Sequence, residues 1–428
     1  MINNKIDFIF NLIKDFYDNF ILNNSKEKNN EWTIHSAIIL KNNNDYKIIC
    51  FTNGTKSLPN INYYNKKFQI FDCHAEILCL KCFQFFIIKC LIFNIDKKNE
   101  KKILKEEEFK EFKKNENFYN IFEIDKNNLK NKISLKKNIE FFLYISSSPC
   151  GDASKIINND KKIGSKTIEQ IVEYYNNYLK NNNIKFIEKN SNLYEFRTKS
   201  IRSDFKPEIL SFSLSCTDKL LIKNILGYEG KYLNLIINSI YINNIIISEK
   251  KNNIIQISNS LNYLIRNNKS LIKNNYKPKI IIIDKFLTNN ININKIDKNS
   301  QPFSFFWYFP SSLQKIDPSL GLKSGSRKDR MDIIENFRVT LCNYNLCELI
   351  FKFIINFGNN ILCKKISKIL LINENLDYVD ILNILIKTTK RYKIKEIFIK
   401  ENEKIKEFLE LKYKLINKNI YNLKKETK

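Results

Sequence analysis

Residues 72–76 read Asp72-Cys73-His74-Ala75-Glu76, and the rest of the chain can be interpreted outward from them. His-x-Glu is typical of sites in which one imidazole binds zinc and a carboxylate two residues later carries protons. The chain contains only two histidines, His35 and His74. Three letters alone are weak, because the same pattern also begins ordinary surface helices. The motif predicts half of a hydrolytic zinc site, whose other ligands must come from elsewhere.

Two later stretches offer those ligands. An apolar run enters Pro149-Cys150-Gly151-Asp152-Ala153, and an alternating run at residues 211–215 leads into Cys216. His74, Cys150 and Cys216 each stand where a strand or loop gives way to a predicted helix. Three protein ligands plus an open position for water are the pattern of a catalytic zinc, whereas a structural zinc takes a fourth side chain.

In combination and in this order, the blocks of the sequence resemble the adenosine deaminase/editase domain family. Besides the two stretches above, the matching blocks are Glu31-Trp32-Thr33, Gly54-Thr55-Lys56-Ser57-Leu58-Pro59, Arg197-Thr198-Lys199 and Ser215-Cys216-Thr217-Asp218-Lys219. The resemblance covers about residues 30–235 and is thin beyond them, around Gly321-Leu322-Lys323-Ser324-Gly325. The long separation of Cys150 from Cys216 also resembles this family rather than the deaminases with a compact Pro-Cys-x-x-Cys.

The resemblance implies an α/β fold with a cytidine-deaminase-like core, in which a central mixed sheet carries helices on both faces, and an α+β C-terminal extension. It further implies one domain over residues 1–428, with the deaminase core at 30–235 and a divergent part at 236–428. Residues 95–138 and 158–192 are Lys/Asn-rich and are expected to be insertions. We expect residues 95–117 to be a mobile surface tract.

The function implied is zinc-dependent hydrolytic deamination of adenosine to inosine in RNA. The blocks are most similar to the tRNA-specific branch, which implies tRNA as partner and the adenosine 3′ of the anticodon of tRNA-Ala as target. In this interpretation His74, Cys150 and Cys216 bind Zn²⁺ and Glu76 is the catalytic proton carrier. Thr55 and Lys56 match a loop that contacts the RNA backbone; the alternative is a plain turn with a solvated lysine.

The family also buries inositol hexakisphosphate, held by basic residues beneath the active site. Lys81, Lys199 and Lys219 match positions in that network. Leu80 stands where a second basic residue is usual, and Ile222 and Lys223 replace the usual Arg-Trp pair. A buried polyanion would explain lysines that are otherwise costly to place in an interior.

Two other functions stay open. One is an adenosine deaminase of double-stranded RNA, which is disfavoured because residues 1–30 are too short for a separate RNA-binding module. The other is a non-catalytic RNA-binding partner subunit with the same fold. Retention of Glu76 and of all three ligands argues against it, since a pseudoenzyme would most simply lose the proton carrier.

Composition agrees with an RNA partner. Lys plus Arg number 72 against 45 Asp plus Glu, which gives a net charge of +27. Such a charge favours a polyanion, although biased codon usage also supplies lysine in a chain so rich in Asn and Ile. The ten cysteines show no disulfide spacing, so we expect a reducing, cytoplasmic or nuclear location. We also expect no signal peptide, no membrane span and no obligate protein partner.

Periodicity predicts several elements. An amphipathic helix at residues 1–22 is expected to pack on the core, and residues 34–40 and 46–51 form a hairpin in which His35 is packed rather than catalytic. A helix follows His74, its cysteines serve as core residues, and Asp72 is expected to cap it. Further strands are expected at residues 139–145, 254–257, 280–283 and 303–308. Further helices are expected from Cys150 and at residues 217–226, the latter ended by Gly227, with a helix or helix–strand pair at 232–247. Residues 323–330 are expected to form a flexible basic loop.

Overall fold

The computed structural model of the chain describes residues 2–25, 31–58, 65, 67–124, 132–154, 165–167, 196–199, 213–249, 254–267, 277–287, 299–326, 334–357, 360–372 and 376–387. The basic loop expected at residues 323–330 is described only as far as residue 326. The sequence also predicts a helix around residues 168–179 and a charged helix at 395–428, and the family resemblance implies that a loop at 200–206 helps to extrude the target base; these three segments lie outside the described residues.

An eight-stranded mixed sheet organises the fold, in the order β10-β9-β6-β2-β3-β12-β13-β14. Strands β10, β9 and β6 are parallel, and every later neighbour in that order is antiparallel. The strands are β1 (Glu31–Trp32), β2 (His35–Asn42), β3 (Asp45–Asn53), β4 (Phe122–Glu123), β5 (Ser134–Leu135), β6 (Ile139–Ile145), β7 (Ser165–Thr167), β8 (Arg197–Lys199), β9 (Asn244–Ser248), β10 (Lys279–Ile283), β11 (Asn299–Ser300), β12 (Ser304–Tyr308), β13 (Gln314–Asp317) and β14 (Leu322–Lys323).

Both faces of the sheet are apolar and both are covered. Along β2, Ile38 and Leu40 face one core cluster while Ala37 and Ile39 face the other, as the period of two requires. Each fully buried aliphatic or aromatic side chain contributes about 1.5–3 kcal/mol, so the two clusters together fix the register of the central strands. The expected α/β fold, with helices on both faces of a mixed sheet, is confirmed.

The helices divide between the two faces. Helix α1 (Ile2–Phe16) packs on one face through Ile6, Ile9, Phe10 and Ile13, as its amphipathic pattern predicts. The other face carries α3 (Ala75–Ile95), which is apolar around its whole circumference and buried along nearly its whole length. The remaining helices are α2 (Leu22–Ser25), α4 (Glu106–Lys113), α5 (Glu116–Tyr119), α6 (Cys216–Leu226), α7 (Gly230–Leu233), α8 (Ile254–Asn267), α9 (Asn343–Phe357), α10 (Asn360–Ile372) and α11 (Tyr378–Ile386).

Most of the predicted local elements are present. The hairpin at residues 34–51 is β2 and β3, and His35 is buried within it, edge-on to Tyr17. Helix α6 ends at Gly227, whose φ is 91°. The aromatic strand is β12, residues 280–283 lie in β10, and residues 232–247 form the end of α7 and then β9. Cys150 precedes only a 3₁₀ turn, over residues 152–154, within the described residues there.

The strand expected at residues 254–257 is wrong, because this segment begins α8. Ile254 and Ile255 are exposed, whereas Ile257 and Leu261 are fully buried. That spacing of four places one apolar stripe of a helix on the core, and the short isoleucine run mimics a strand only when it is read alone.

The surface tract expected at residues 95–117 is wrong for its helical part. Helix α4 buries Phe109 and Phe112 in the core beside α3. Phe112 stacks on Phe93, with 5.1 Å between ring centroids, and meets Tyr119 edge-on at 5.3 Å. A buried ion pair of 2.6 Å between Lys89 of α3 and Glu108 of α4 ties the two helices further. Lysine and glutamate are the most common residues around α4, but its two buried phenylalanines determine how the helix packs on the core.

This packing predicts a large loss of stability on truncation of one ring. Phe112→Ala is expected to lower the free energy of unfolding by about 3–5 kcal/mol, because it leaves a cavity among aromatic rings. Urea unfolding measures the change. Lys113→Ala, at the exposed next position, is the control and should stay within about 0.5 kcal/mol of the parent. A loss below about 1 kcal/mol for Phe112→Ala would show that the tract is not part of the core.

Within the described residues, no single helix is long and apolar enough to cross a bilayer. Helices α9 and α10 meet the length and composition criteria only when taken together, across a bend of 119°.

Candidate metal centre

His74, Cys150 and Cys216 converge on one point, although 76 residues separate the first two and 66 the second pair. The Nδ1 atom of His74 lies 3.8 Å from Sγ of Cys150 and 3.5 Å from Sγ of Cys216. All three ligand atoms lie within 4.8 Å of one another, and this is the one such group found in the part of the chain that the structure describes. One imidazole and two thiols at these separations fit the ligand set of a tetrahedral zinc with one open position.

The loop after β3 positions His74. The amide N–H of Cys73 donates to the carbonyl of Lys56, and that of Ala75 donates to the carbonyl of Gly54, at 3.0 Å each. Gly54 has a φ of 145°, and a Cβ there would lie 2.0 Å from the carbonyl oxygen of Cys73. Only glycine fits so close to the strand-to-helix turn, which explains the glycine at this position.

The start of α6 positions both cysteines. The hydroxyl of Thr217 donates to the carbonyl of Cys150 at 3.0 Å, and the amide of Thr217 donates to the same oxygen at 3.0 Å. The amide of Cys216 lies 3.4 Å from Sγ of Cys150. The first turn of α6 therefore donates two hydrogen bonds to the Cys150 carbonyl and directs an N–H at the Cys150 sulfur. This N–H favours the thiolate form of Cys150.

The two thiols differ in acidity. A hydrogen bond from the thiol of Cys216 lowers the pKa of Cys150 well below its usual value, with His74 and Lys199 acting in the same direction. Burial raises the pKa of Cys216 well above its usual value. The surroundings of Cys150 thus favour its thiolate, which is the form of a cysteine that binds a metal ion.

Glu76 lies one helical step inside α3 and is 2% exposed. Burial is the main reason that its pKa is raised, and the thiol of Cys150 adds to the effect. A hydrogen bond with Cys216 and the charge of His74 act in the opposite direction. A buried carboxyl with a raised pKa next to a metal-ligand cluster is suited to accept a proton and return it.

Asp72 is the centre of a buried charge cluster under His74. Its two carboxylate oxygens lie 2.6 and 2.7 Å from Nζ of Lys199, and it also pairs with Lys219. Burial raises the pKa of Asp72, but the two lysines outweigh it and hold that pKa well below its usual range. The amide of His74 donates to Asp72 at 3.1 Å. The expectation that Asp72 caps α3 is therefore wrong, because α3 begins after His74 and has no side-chain cap.

The other residues singled out in the sequence divide between two places. Thr55 and Lys56 lie half-buried in the loop whose carbonyls bind the backbone around His74, so they border the cluster. Lys199 and Lys219 meet at Asp72. Lys81, on α3, instead contacts the side-chain oxygen of Asn343 at 2.5 Å, and no contact in the described part of the chain joins it to the other two lysines.

A comparison with protein-family models matches residues 50–378 to the adenosine-deaminase (editase) domain. The match spans more than half of the chain and includes all three residues of the cluster together with Glu76. The chain belongs to this family. The resemblance carried by the sequence blocks is thereby confirmed, and it extends further into the C-terminal half than the blocks alone indicate.

Curated relatives of this editase-domain chain include proteins of two kinds. "tRNA-specific adenosine deaminase 1" of Schizosaccharomyces pombe is 28% identical over 225 residues, covering 51% of the chain and 50% of the relative. The Saccharomyces cerevisiae protein of that name is 29% identical over 217 residues, covering 46% and 48%. "Double-stranded RNA-specific editase B2" of Rattus norvegicus is 26% identical over 204 residues, covering 47% and 24%. The chain therefore matches about half the length of the yeast relatives and a quarter of the rat one.

Sequence reasoning missed the buried carboxylates that hold the editase-domain site together. The sequence pattern predicts a helix cap for Asp72 and no role for Asp218. One local signal was available for Asp218: Ser215 precedes it by three residues, as in a capping box. The structure has one half of that box: Oγ of Ser215 accepts from the amide of Asp218 at 3.2 Å, but the carboxylate of Asp218 accepts from the hydroxyl of Ser215 at 2.7 Å instead of from its amide.

Proposed function

We propose that the chain catalyses zinc-dependent hydrolytic deamination of adenosine to inosine in tRNA, and that its target is the adenosine 3′ of the anticodon of tRNA-Ala. The observation that carries the proposal is the convergence of His74, Cys150 and Cys216 beside the buried carboxyl of Glu76. Membership of the editase-domain family agrees with this chemistry.

The residues of the site divide the work. Zinc bound by the imidazole of His74 and the thiolates of Cys150 and Cys216 would lower the pKa of a bound water from 15.7 toward about 7. Glu76 would take a proton from the attacking water and pass it to N1 of the purine ring. It would then take the proton of the hydroxyl left on C6 and pass it to the departing amine, which leaves as ammonia. A carboxyl group suits this task because it both accepts and donates a proton, whereas an amide does neither. The products are inosine and ammonia, with one water consumed.

Transfer RNA is the proposed substrate for two reasons. Two of the relatives above carry tRNA-specific deaminase names. In addition, a target adenosine must leave its stack to reach a recessed metal centre, which costs a few kcal/mol and costs least in a loop that is already unpaired. An anticodon loop meets that condition.

The experiment uses purified protein and a tRNA-Ala transcript. Inosine at the base 3′ of the anticodon, detected as an A-to-G change after reverse transcription, is the expected result. A transcript with guanosine at that position is the matched control and should release no ammonia. Inosine elsewhere in the tRNA would overturn the proposed position, and the absence of inosine from all RNAs tested would overturn the activity.

Double-stranded RNA is the second candidate substrate, favoured by the similarity to the rat editase. The same assay distinguishes it, since a perfect RNA duplex with adenosines along one strand would then be edited faster than the tRNA. We expect the opposite order, because no stem has to open for the anticodon loop to present its base.

The loop that borders the cluster is the proposed contact to the RNA backbone. Lys56→Ala is expected to weaken binding of every RNA by a similar factor and to reduce the slope of log affinity against log salt by about one, because it removes one phosphate contact. Lys113→Ala, on the exposed side of α4, is the control of equal charge change. An unchanged salt slope for Lys56→Ala would exclude the contact.

We also propose a bound inositol hexakisphosphate, for which the described residues provide a partial fit. Burial lowers the pKa of Lys81, and in the described part of the chain this lysine forms no ion pair. An anion beside it would offset that cost. Lys199, in contrast, is already neutralised by Asp72, and Leu80 is packed in the apolar core.

The presence of this anion is measured directly. Purified protein is denatured in acid, and the released inositol phosphates are quantified by ion chromatography. Near-stoichiometric hexakisphosphate that disappears in Lys81→Leu is the expected result. Folded parent protein that releases none would overturn this part of the proposal without affecting the deamination chemistry.

A further inference from the structure

The buried carboxylate of Asp218 joins two segments that each deliver a group to the metal centre. Its Oδ2 atom accepts from the amide of Arg197 at 2.8 Å and from the hydroxyl of Ser215 at 2.7 Å. The side chain is fully buried, at 0% exposure. A carboxylate in such a position is costly unless hydrogen bonds compensate it, so these contacts constrain the geometry on both sides.

The first segment is β8, which begins at Arg197 and ends at Lys199. Lys199 reaches Asp72, which in turn holds the amide of His74. The second segment is the turn into α6, where Ser215 immediately precedes Cys216. Asp218 therefore connects the side of the site that contains the histidine ligand to the side that contains a cysteine ligand.

Backbone hydrogen bonds join β8 directly to the turn at the start of α6. The amide of Ser215 donates to the carbonyl of Arg197 at 2.7 Å, and the amide of Lys199 donates to the carbonyl of Ser213 at 2.8 Å. Together with the contact from Asp218 to the amide of Arg197, these bonds fix β8 against the turn at the start of α6. A shift of either segment would move Cys216 relative to His74.

We propose that Asp218 is a positioning residue of the metal centre, which sets the separation of the cysteine and histidine ligands without touching metal or substrate. This inference rests on the proposed zinc site. It extends the proposal by assigning a role to a carboxylate that neither binds zinc nor carries the reacting proton. Groups that orient metal ligands typically change metal affinity by about 10–100-fold when they are removed.

The test compares zinc affinity in three variants by competition with a chromophoric chelator. Asp218→Ala is expected to weaken zinc binding by about 10–100-fold. Asp218→Asn keeps an acceptor without the charge, so it should lie between Asp218→Ala and the parent. The control is Asn224→Ala, on the same helix, whose buried amide donates to Leu261 at 2.9 Å, away from the cluster. It should be destabilised yet bind zinc as the parent does.

Cobalt substitution provides a second readout. Two thiolate ligands give intense sulfur-to-cobalt charge-transfer absorption, which is expected to weaken or shift in the Asp218 variants and to stay unchanged in Asn224→Ala. If Asp218→Ala does not fold, Asp218→Asn decides the question by the same two measurements. Parent-like zinc affinity and cobalt spectra in folded Asp218→Asn or Asp218→Ala would overturn the inference. Failure of the parent itself to bind zinc would instead overturn the proposed function.

Discussion

Replacing Glu76 with glutamine is expected to reduce the rate of adenosine deamination by about 10²–10⁴-fold while zinc stays bound. This range is the usual contribution of a positioned general acid–base group. The amide keeps the size of the carboxyl but cannot take a proton from water. Because Glu76 is 2% exposed, bulk buffer has little access to replace it. Single-turnover measurement of inosine formation reports the chemical step directly.

The control for this change is another buried carboxylate, whose hydrogen bonds go to Asn234 and Ile240 rather than to a residue of the cluster. Glu229 is 1% exposed and accepts from the amide of Ile240 at 3.0 Å. Glu229→Gln should lose some stability but keep the single-turnover rate within a small factor of the parent. A Glu76→Gln protein that retains more than about a tenth of the parent rate would contradict the assigned role, since general acid–base groups contribute at least about 10²-fold.

Replacing Cys216 with serine is expected to abolish stable zinc binding and, with it, deamination. A serine hydroxyl does not ionise at neutral pH and so cannot replace a thiolate ligand. Without the metal, the attacking water returns to a pKa of 15.7 from about 7, and Glu76 alone cannot make up the difference. Elemental analysis after dialysis should give about one zinc per parent chain and far less in the variant.

The control is the same cysteine-to-serine replacement at a position outside the metal centre. Cys347 of α9 is fully buried in the apolar core. Cys347→Ser is expected to lower stability, because it buries a hydroxyl, but to keep the zinc of the parent. Full zinc occupancy in Cys216→Ser would show that the metal is held by other residues.

Much of the site was predictable because its signals are local. His74 and Cys216 stand at the starts of helices, and Cys150 follows the end of a strand; such transitions can be read from hydrophobic periodicity. The hairpin of β2 and β3 and the end of α6 at Gly227 follow from the same kind of pattern. What local patterns could not provide is the distance of 3.5 Å between His74 and Cys216, which depends on the whole sheet.

Two errors arose where composition and pattern disagreed. The run at residues 254–257 was assigned by its four letters, whereas the buried Leu261 four residues beyond Ile257 identifies a helix. The tract around α4 was assigned by its lysines and glutamates, whereas Phe109 and Phe112 determine its packing. In both cases the spacing of a few apolar residues outweighed the average polarity of the segment.

The buried carboxylates were beyond local reasoning for a different reason. Asp72 and Lys199 are 127 residues apart, and neither residue type is expected in an interior without its partner. Their pairing becomes evident only when the fold brings β8 against the strand-to-helix turn at His74. Asp218 is a partial exception, because its serine partner lies three residues away, but its contact to Arg197 is again long-range.

X-ray absorption at the zinc edge of the purified parent protein tests the central claim most directly. We expect one zinc with two sulfur neighbours at about 2.3 Å, one imidazole nitrogen at about 2.0–2.1 Å and one further light atom in the open position. Four sulfur neighbours, a shell of light atoms alone, or a folded protein that binds no zinc would contradict the assignment of His74, Cys150 and Cys216 as the metal ligands.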